Sequence, residues 1–310
     1  MKVRKQKIQT KNKSYDLADC ALYKVLSKKR LEKILLSSLS ELKKLTNDSN
    51  YITFYEKSDV NKKRLIERPN ERLDFIHTRI ASLISRVKQP DYMHSGLKGR
   101  SYITNAQAHL GNSPTLTTDI RSFFPSTLRN KVFYFFHKKL NCSADVAELL
   151  SHICTINGHI PTGSRISMPL AYWANSEMFN RLDLLAHSYN ARMTVYVDDV
   201  TFSGAGVNGY FLHKVKRIIE SEGHAMHPNK TIIFRRDDVK IVTGVIILSN
   251  ELKARNLLHK NIFSDMELWK KINGGLEKEA LKKRLLGRIY AAANIENRFK
   301  DKARTLKKSD

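Results

Sequence analysis

The chain has 310 residues, enough for a substantial core and two or three lobes, and it sets 55 Lys and Arg against 30 Asp and Glu, a formal charge of +25. Such a surplus draws phosphate backbones and makes association salt-dependent, so a nucleic-acid partner is expected. No apolar run approaches the ~20 residues that span a bilayer, no amphipathic segment pairs a basic face with Trp or Phe anchors, and Met1-Lys2-Val3-Arg4-Lys5 is followed by polar residues where a signal peptide has an apolar core.

A soluble, cytoplasmic protein without a membrane partner is therefore expected, and Cys20, Cys142 and Cys154, odd in number and at no metal-ligand spacing, suit free thiols in a reducing compartment. Residues 1–30 carry ten basic residues against Asp16 and Asp19, and their first part reads as a mobile basic arm. Leu31, Ile34, Leu35, Leu39, Leu42 and Leu45 recur at helical spacing with lysines on the other face. Asn47-Asp48-Ser49-Asn50 breaks that helix, and Tyr51-Ile52-Thr53-Phe54-Tyr55 reads as a strand. A basic turn from Asn61 then leads through Lys63 and Arg64 into a second strand closed by Pro69. Arg forks suit phosphate oxygens, so this hairpin fits a cover over a triphosphate; its spacing fits a solvated charged tip equally well.

Helical spacing continues over 70–88 through Leu73, Ile76, Ile80, Leu83, Ile84 and Val87. Asn105-Ala106-Gln107-Ala108-His109 opens a short helix, in which His109 by itself reads as a packed, hydrogen-bonded histidine. Leu116-Thr117-Thr118-Asp119-Ile120 is a strand ending in an aspartate, and 131–156 reads as helical through Phe133, Phe136, Leu140, Val146, Leu149, Leu150 and Ile153. The Gly-, Pro- and Ser-rich loop from Gly158 to Pro169 enters a long helical pattern through Leu170, Trp173, Met178, Leu182 and Leu185. Small residues ahead of a helix let backbone N–H groups approach a phosphate or a base pair, although many helix entries look like this.

Thr194-Val195-Tyr196-Val197 and Val200-Thr201-Phe202-Ser203 are two β-rich runs joined by Asp198-Asp199, a hairpin with carboxylates at its tip. Asp-Asp forgoes the Asn-Gly or Asp-Gly turn preference and sets like charges side by side, which a bound cation would offset; adjacent turn aspartates are otherwise a solvated loop. If the Asp119 strand pairs antiparallel with this hairpin, Asp119 and Asp198 fall on neighbouring strands ~5 Å apart and on one face. Two hard divalent cations ~4 Å apart could then bridge them, an arrangement in which one activates an attacking hydroxyl and the other stabilises the leaving oxygen of an in-line phosphoryl transfer.

Beyond the hairpin, 211–221 reads as a helix. His224 and His227, three apart, lack further ligands for zinc and fit surface or core roles. Lys230-Thr231 leads into the strand Ile232-Ile233-Phe234, and Lys240 to Leu248 reads as a strand with Gly244 where backbone passes close to something. From 251 onward sixteen basic residues face eight acidic ones, and Leu281, Leu285, Ile289 and Ala293 form one apolar stripe, as in a small basic helical lobe gripping a duplex.

Taken in order, these pieces resemble a reverse transcriptase of the bacterial retron type over roughly residues 50–300. Thr118-Asp119 with Phe123-Phe124-Pro125-Ser126 matches the first catalytic motif of that family, Pro161-Thr162-Gly163-Ser164 with Met168-Pro169-Leu170-Ala171 its substrate loop, and Tyr196-Val197-Asp198-Asp199 its catalytic hairpin. Asn105-Ala106 with His109, and Val242-Thr243-Gly244, resemble two motifs characteristic of retron enzymes.

The resemblance implies an α+β, right-hand polymerase fold: a basic arm (1–30), fingers (31–112), a palm of antiparallel sheet backed by helices (113–130 and 166–250), connecting helices and the substrate loop (131–165), and a helical thumb (251–310). It implies an RNA-directed DNA polymerase using dNTPs and two magnesium ions held by Asp119, Asp198 and Asp199, assisted by the Ile120 carbonyl. It further implies Phe124 as the steric gate against a ribonucleotide 2'-OH, Lys63 and Arg64 on the triphosphate, Thr162 and Gly163 at the substrate, and Lys230 near the leaving pyrophosphate. Asn105, His109, Val242, Thr243 and Gly244 would serve RNA recognition.

Retron enzymes are taken to prime from a guanosine 2'-OH of their own structured RNA, giving branched RNA–DNA used in antiphage defence, with a separate effector protein as partner. Members of the resembled family usually carry Gln where this chain has Thr162, and Arg165 adds a charge to the loop, so nucleotide affinity or fidelity is expected to differ. Other readings are a group II intron-like or another defence-associated reverse transcriptase, the intron version disfavoured because no maturase or nuclease segment follows residue 310, and an RNA-binding scaffold or antitoxin subunit with a vestigial site.

Overall fold

The computed structural model describes residues 7–58, 62–272 and 274–308, and Asn61 of the basic turn lies outside them. β-branched and aromatic residues cluster in most of the strands, though not in β2 or β9: β1 (Tyr51–Ser58), β2 (Lys62–Pro69), β3 (Thr115–Asp119), β4 (Ala191–Tyr196), β5 (Asp199–Gly204), β6 (Ile232–Phe234), β7 (Lys240–Val242), β8 (Val245–Leu248) and β9 (Glu251–Lys253). They make three antiparallel sheets, β1-β2, β4-β5-β3-β6 and β7-β8-β9, among many helices, which is the expected α+β class. The chain folds as two units, one of Met1–Asp91, Ile120–Leu184 and Lys214–His227, the other of Tyr92–Asp119, Leu185–His213 and Pro228–Asp310.

In the first unit β1 and β2 pair from Tyr51↔Pro69 to Ser58↔Lys62. Asn70 then caps the helix Glu71–Ile84, its side chain accepting the Leu73 N–H at 2.9 Å, and the helix buries Leu73, Ile76, Ile80 and Ile84. Several elements are shorter than the apolar spacing suggests. The run over 31–45 splits into Lys28–Leu35 and Leu39–Lys44 because Leu36 turns left-handed (φ 56°) and Ser38 caps a new helix. The run over 131–156 breaks at Asn141 (φ 52°), after a π turn at Phe135–Lys139. The long pattern from Leu170 breaks at Asn175, between Ser167–Ala174 and Ser176–Ser188. The second and third breaks fall at asparagines and the first at Leu36 just ahead of the capping Ser38, while apolar periodicity runs on through each. The basic arm is also less free than expected. Tyr15 N–H donates to the Arg86 carbonyl and Lys88 N–H to that of Tyr15, while Arg86 reaches the Gln9 carbonyl; residues 1–6 lie outside the described ones.

In the second unit the four-stranded sheet buries Leu116, Val195, Val200 and Phe202, and Phe202 meets Phe211 edge-on at 5.2 Å. Lys240 to Leu248 is a hairpin, not one strand. Thr243 and Gly244 both have positive φ (45° and 81°), the pattern of a type I′ turn, and a Cβ on Gly244 would meet nothing within 4 Å. The glycine therefore serves the turn and not a close approach. The C-terminal helices Asn256–Lys271, Gly275–Ala293 and Phe299–Lys308 share a core of Ile262, Leu285, Ile289, Ala292, Phe299, Ala303 and Leu306, so the apolar stripe read from the sequence is buried. Among the described residues no helix is long and apolar enough to cross a membrane, and Cys20, Cys142 and Cys154 are free thiols.

Candidate active site

All three aspartates belong to the second unit, and the sheet sets their arrangement. Strand β3 pairs β5 from Thr115↔Ser203 to Asp119↔Asp199, so the residue directly across from Asp119 is Asp199, not Asp198. Asp198 lies in the turn. Tyr196 pairs with Asp199 in the β4/β5 hairpin, which leaves Val197 and Asp198 as the two-residue loop. Val197 has φ 60°, and a positive φ at the first loop position alone is the pattern of a type II′ turn, which glycine normally fills. A β-branched residue there costs about 1–3 kcal/mol and persists only where its surroundings enforce it. They do: the Val197 N–H donates to Ser95 Oγ at 3.0 Å, and Tyr92 and His94 exchange backbone bonds with Val195 at 2.8 Å.

Beneath the hairpin His109 clamps both strands. Its Nδ1 lies 2.6 Å from Ser203 Oγ on β5 and its Nε2 2.7 Å from Thr194 Oγ1 on β4, and burial foremost, with Arg192, His94 and Lys240, pushes the ring down to about 3. The imidazole is therefore neutral at ordinary pH, donating from one nitrogen and accepting at the other.

Asp119 is 5% exposed and accepts from Lys230 Nζ at 2.5 Å. Burial foremost, then the charges of Asp198 and Asp119, raises the Asp199 carboxyl to about 6, with Lys230 opposing. Burial works against the Lys230 ammonium, but Asp119, with Asp199 and Asp198, outweighs it and raises its pKa. Among the described residues no three His, Cys, Asp or Glu side chains form a ready metal cluster. The donor set nevertheless fits magnesium in kind: hard carboxylate oxygens on paired strands, crowded enough to hold a proton unusually tightly, with one ammonium as counter-charge.

The residues expected to read RNA are mostly out of solvent. Asn105, His109 and Val242 are at most 1% exposed, Thr243 is half-buried and Gly244 exposed. Asn105 Nδ2 donates to Thr243 Oγ1 at 3.4 Å and Thr243 Oγ1 donates to the Tyr102 carbonyl at 2.8 Å, so the two retron-type motifs meet as a brace for the Thr243-Gly244 turn. Of these five residues only the Thr243-Gly244 turn is open to a ligand; the Asn105 side chain holds the Thr243 hydroxyl, and His109 holds those of Ser203 and Thr194.

In the first unit the substrate loop is tied to β2. Thr162 Oγ1 donates to the Leu65 carbonyl at 2.7 Å, and the Thr162 N–H donates to Glu67 Oε2 at 3.0 Å. His159 completes this clasp, with Nε2 at 3.0 Å from Glu67 Oε1. A Cβ on Gly163 would stand 2.8 Å from the Glu67 carbonyl oxygen, so the close approach expected of this glycine is to the chain's own strand. Arg165, expected to add charge at the substrate, pairs with Asp74 of the helix Glu71–Ile84. Lys63 and Arg64 are exposed on β2, opposite Lys57 and Glu56. Ile120 is buried and bridges Met226, and the half-buried Phe124 ring lies 5.9 Å from that of Phe123 in the helix Phe123–Ser126. Glu67, His159 and Ser95 were not singled out in the sequence, where each sits in a segment that reads as strand or loop and its partner is remote.

No protein-family model matches the chain. The retron Mx65 reverse transcriptase of Myxococcus xanthus is 30% identical over 246 residues, 70% of this chain and 57% of that one. The retron Se72 reverse transcriptase of Salmonella heidelberg is 32% identical over 160 residues (50% and 41%), and the retron Ec86 reverse transcriptase of Escherichia coli 27% over 213 residues (68% and 66%). This chain spans less than two thirds of the length of each. Among solved structures, a foamy viral protease–reverse transcriptase in complex with double-stranded DNA covers 94% of this chain and 43% of its own at 15% identity and TM-score 0.44, a distant likeness. The chain is thus similar to retron reverse transcriptases over half or more of its length, as its motifs imply.

Proposed function

We propose that this chain is an RNA-directed DNA polymerase of the retron type, extending a primer hydroxyl with dNTPs along an RNA template. The observation that carries the reading is the register Asp119↔Asp199 with Asp198 in the adjoining tight turn, which gathers three acidic residues from separated motifs onto one end of one sheet.

In this reading Asp119, Asp198 and Asp199 hold two magnesium ions, with the Ile120 carbonyl assisting. Bound magnesium would supply Lewis-acid activation of the attacking hydroxyl and neutralise charge on the triphosphate. Lys230 balances the acidic cluster before nucleotide arrives and is a donor for the departing pyrophosphate. Lys63 and Arg64 contact the triphosphate, Thr162 and Gly163 shape the substrate loop, and the Phe124 ring fills the space of a 2'-OH. Thr243 and Gly244, with Asn105 bonded to the Thr243 hydroxyl, and with Val242 and His109 of the same motifs, serve recognition of structured RNA, and the basic helices beyond residue 251 grip an RNA–DNA hybrid by its backbone.

The finer biology belongs to the same proposal: fingers, palm and thumb as set out above, priming from a guanosine 2'-OH, branched RNA–DNA as product, antiphage defence through a separate effector, and a cytoplasmic location. The similarity to retron enzymes supports it. The test is magnesium-dependent extension of a primed RNA template by the purified chain and by Asp198→Asn. The account expects the variant to lose activity by about 10² or more; undiminished extension would overturn it.

A further inference from the structure

A buried polar network in the first unit surrounds the short helix Phe123–Ser126 and has no part in the chemistry above. It joins four elements: that helix, Lys131, Asn175 at the helix break, and His224. Asn175 Nδ2 donates at 2.9 Å to both the Ala171 carbonyl and Thr127 Oγ1. A carbonyl only accepts, so the amide orientation is fixed and Asn175 Oδ1 must face Lys131 Nζ at 2.8 Å and His224 Nε2 at 2.7 Å. His224 therefore carries its proton on Nε2, and its bare Nδ1 accepts from Ser126 Oγ at 2.7 Å. Burial foremost, with the Lys131 charge, pushes His224 down to about 4, which keeps it neutral. Thr127 Oγ1, having accepted from Asn175, donates to the Phe123 carbonyl at 2.8 Å. This arrangement makes the Lys131 Nζ–His224 Nε2 approach at 3.3 Å a contact between two donors that share Asn175 Oδ1, and Ser126 Oγ, also 3.2 Å from the Phe123 carbonyl, gives its hydrogen to the shorter bond with His224.

The network also grips an aromatic stack. Phe123, 4% exposed, lies 5.7 Å from the His224 ring, 6.0 Å from Phe179 and 5.9 Å from Phe124. The helix needs such support. It is four residues long, and it starts from Ser122 in the left-handed region (φ 51°) with no side-chain cap. The chain just before it is held by the segment preceding Pro228, through Arg121 N–H to the Ala225 carbonyl at 2.8 Å and the Ile120↔Met226 bridge.

We propose that His224 and Asn175 are positioning residues for sugar selection: through Ser126, Thr127 and Phe123 they fix the Phe124 ring at the depth that admits deoxyribose and rejects ribose. The inference rests on the polymerase reading and on Phe124 as the gate. A gate rejects by hard contact, so a few tenths of an ångström in ring position change discrimination, while a loosened ring leaves the deoxyribose fit largely intact. Loss of the network should therefore raise rNTP use specifically. A merely structural defect would lower both activities.

The experiment compares kcat/KM for dNTP and rNTP on one primed RNA template. His224→Phe keeps the ring packing on Phe123 and removes both nitrogen contacts. It should raise rNTP kcat/KM about tenfold with dNTP kcat/KM held within about threefold. Ser126→Ala, which removes the hydroxyl lying against His224 Nδ1 and the Phe123 carbonyl, should move the ratio the same way by a few-fold. Phe124→Ala sets the fully open value, and adding His224→Phe to it should change the ratio no further. If Phe124→Ala abolishes discrimination but His224→Phe and Ser126→Ala, folded by circular dichroism, keep the wild-type ratio, the positioning role is wrong. If Phe124→Ala also keeps it, the gate assignment is wrong and the inference falls with it. If the wild-type chain incorporates no dNTP, the polymerase reading itself has failed.

Discussion

Asp199 holds its proton more tightly when folded than an ordinary carboxylate does, its value moving from 3.8 to about 6 through burial first and the neighbouring Asp198 and Asp119 next. Between those values the folded chain binds the extra proton and the unfolded chain does not. This residue's contribution to stability in the metal-free protein therefore falls as pH rises through that window, and the penalty persists above it. A cation bound by the carboxylates removes the penalty and competes with the proton. Magnesium is therefore expected to raise the thermal midpoint more at pH 7.5 than at pH 5, as read by calorimetry. An equal shift at both pH values would contradict this account of the site. The three aspartates were legible as residues because each sits in a compact motif. Which of the pair occupies the turn was not, because a Ser95 hydroxyl remote in sequence helps place the tight turn at Val197.

At the scale of elements, the substrate loop and β2 act as one piece. Burial alone would push the Glu67 carboxyl up, but the His159 ring and the Thr162 N–H outweigh it and hold it below the usual range. Thr162 thus has a structural task, its hydroxyl spent on the Leu65 carbonyl. Thr162→Gln would break that tether. It should change KM for dNTP or the misincorporation frequency by a few-fold while extension survives, in steady-state and mispair assays; both unchanged would show that the tether does nothing. Strand and helix identities in this region were legible from apolar spacing, and helix ends less so. Leu36, Asn141 and Asn175 interrupt patterns that continue across them, and only remote partners or a left-handed φ make the break. Likewise the sequence could show that Arg165 is charged but not that Asp74 neutralises it.

For the whole molecule, a formal charge of +25 on 310 residues is the feature read most directly from composition. A chain that grips a duplex through lysine and arginine releases counterions on binding. Its affinity for an RNA–DNA hybrid is expected to fall at least about tenfold between 50 and 200 mM salt, as read by filter binding. A flat profile would mean that the surplus charge faces elsewhere. The fold class was expected from the family resemblance that the motifs carry, whereas the division of the chain into units that each draw on three separate segments is a tertiary fact that no local pattern carries.

The account depends most on Asp119 and the paired strands acting together on a metal-bound nucleotide. Template-directed dNTP incorporation by the wild-type chain and by Asp119→Asn, each with magnesium and with the metal chelated, tests it most directly. The wild type should extend only with magnesium, and Asp119→Asn should fall by about 10² or more with its fold intact. Extension by Asp119→Asn at the wild-type rate, or by the wild type without any divalent metal, would contradict it.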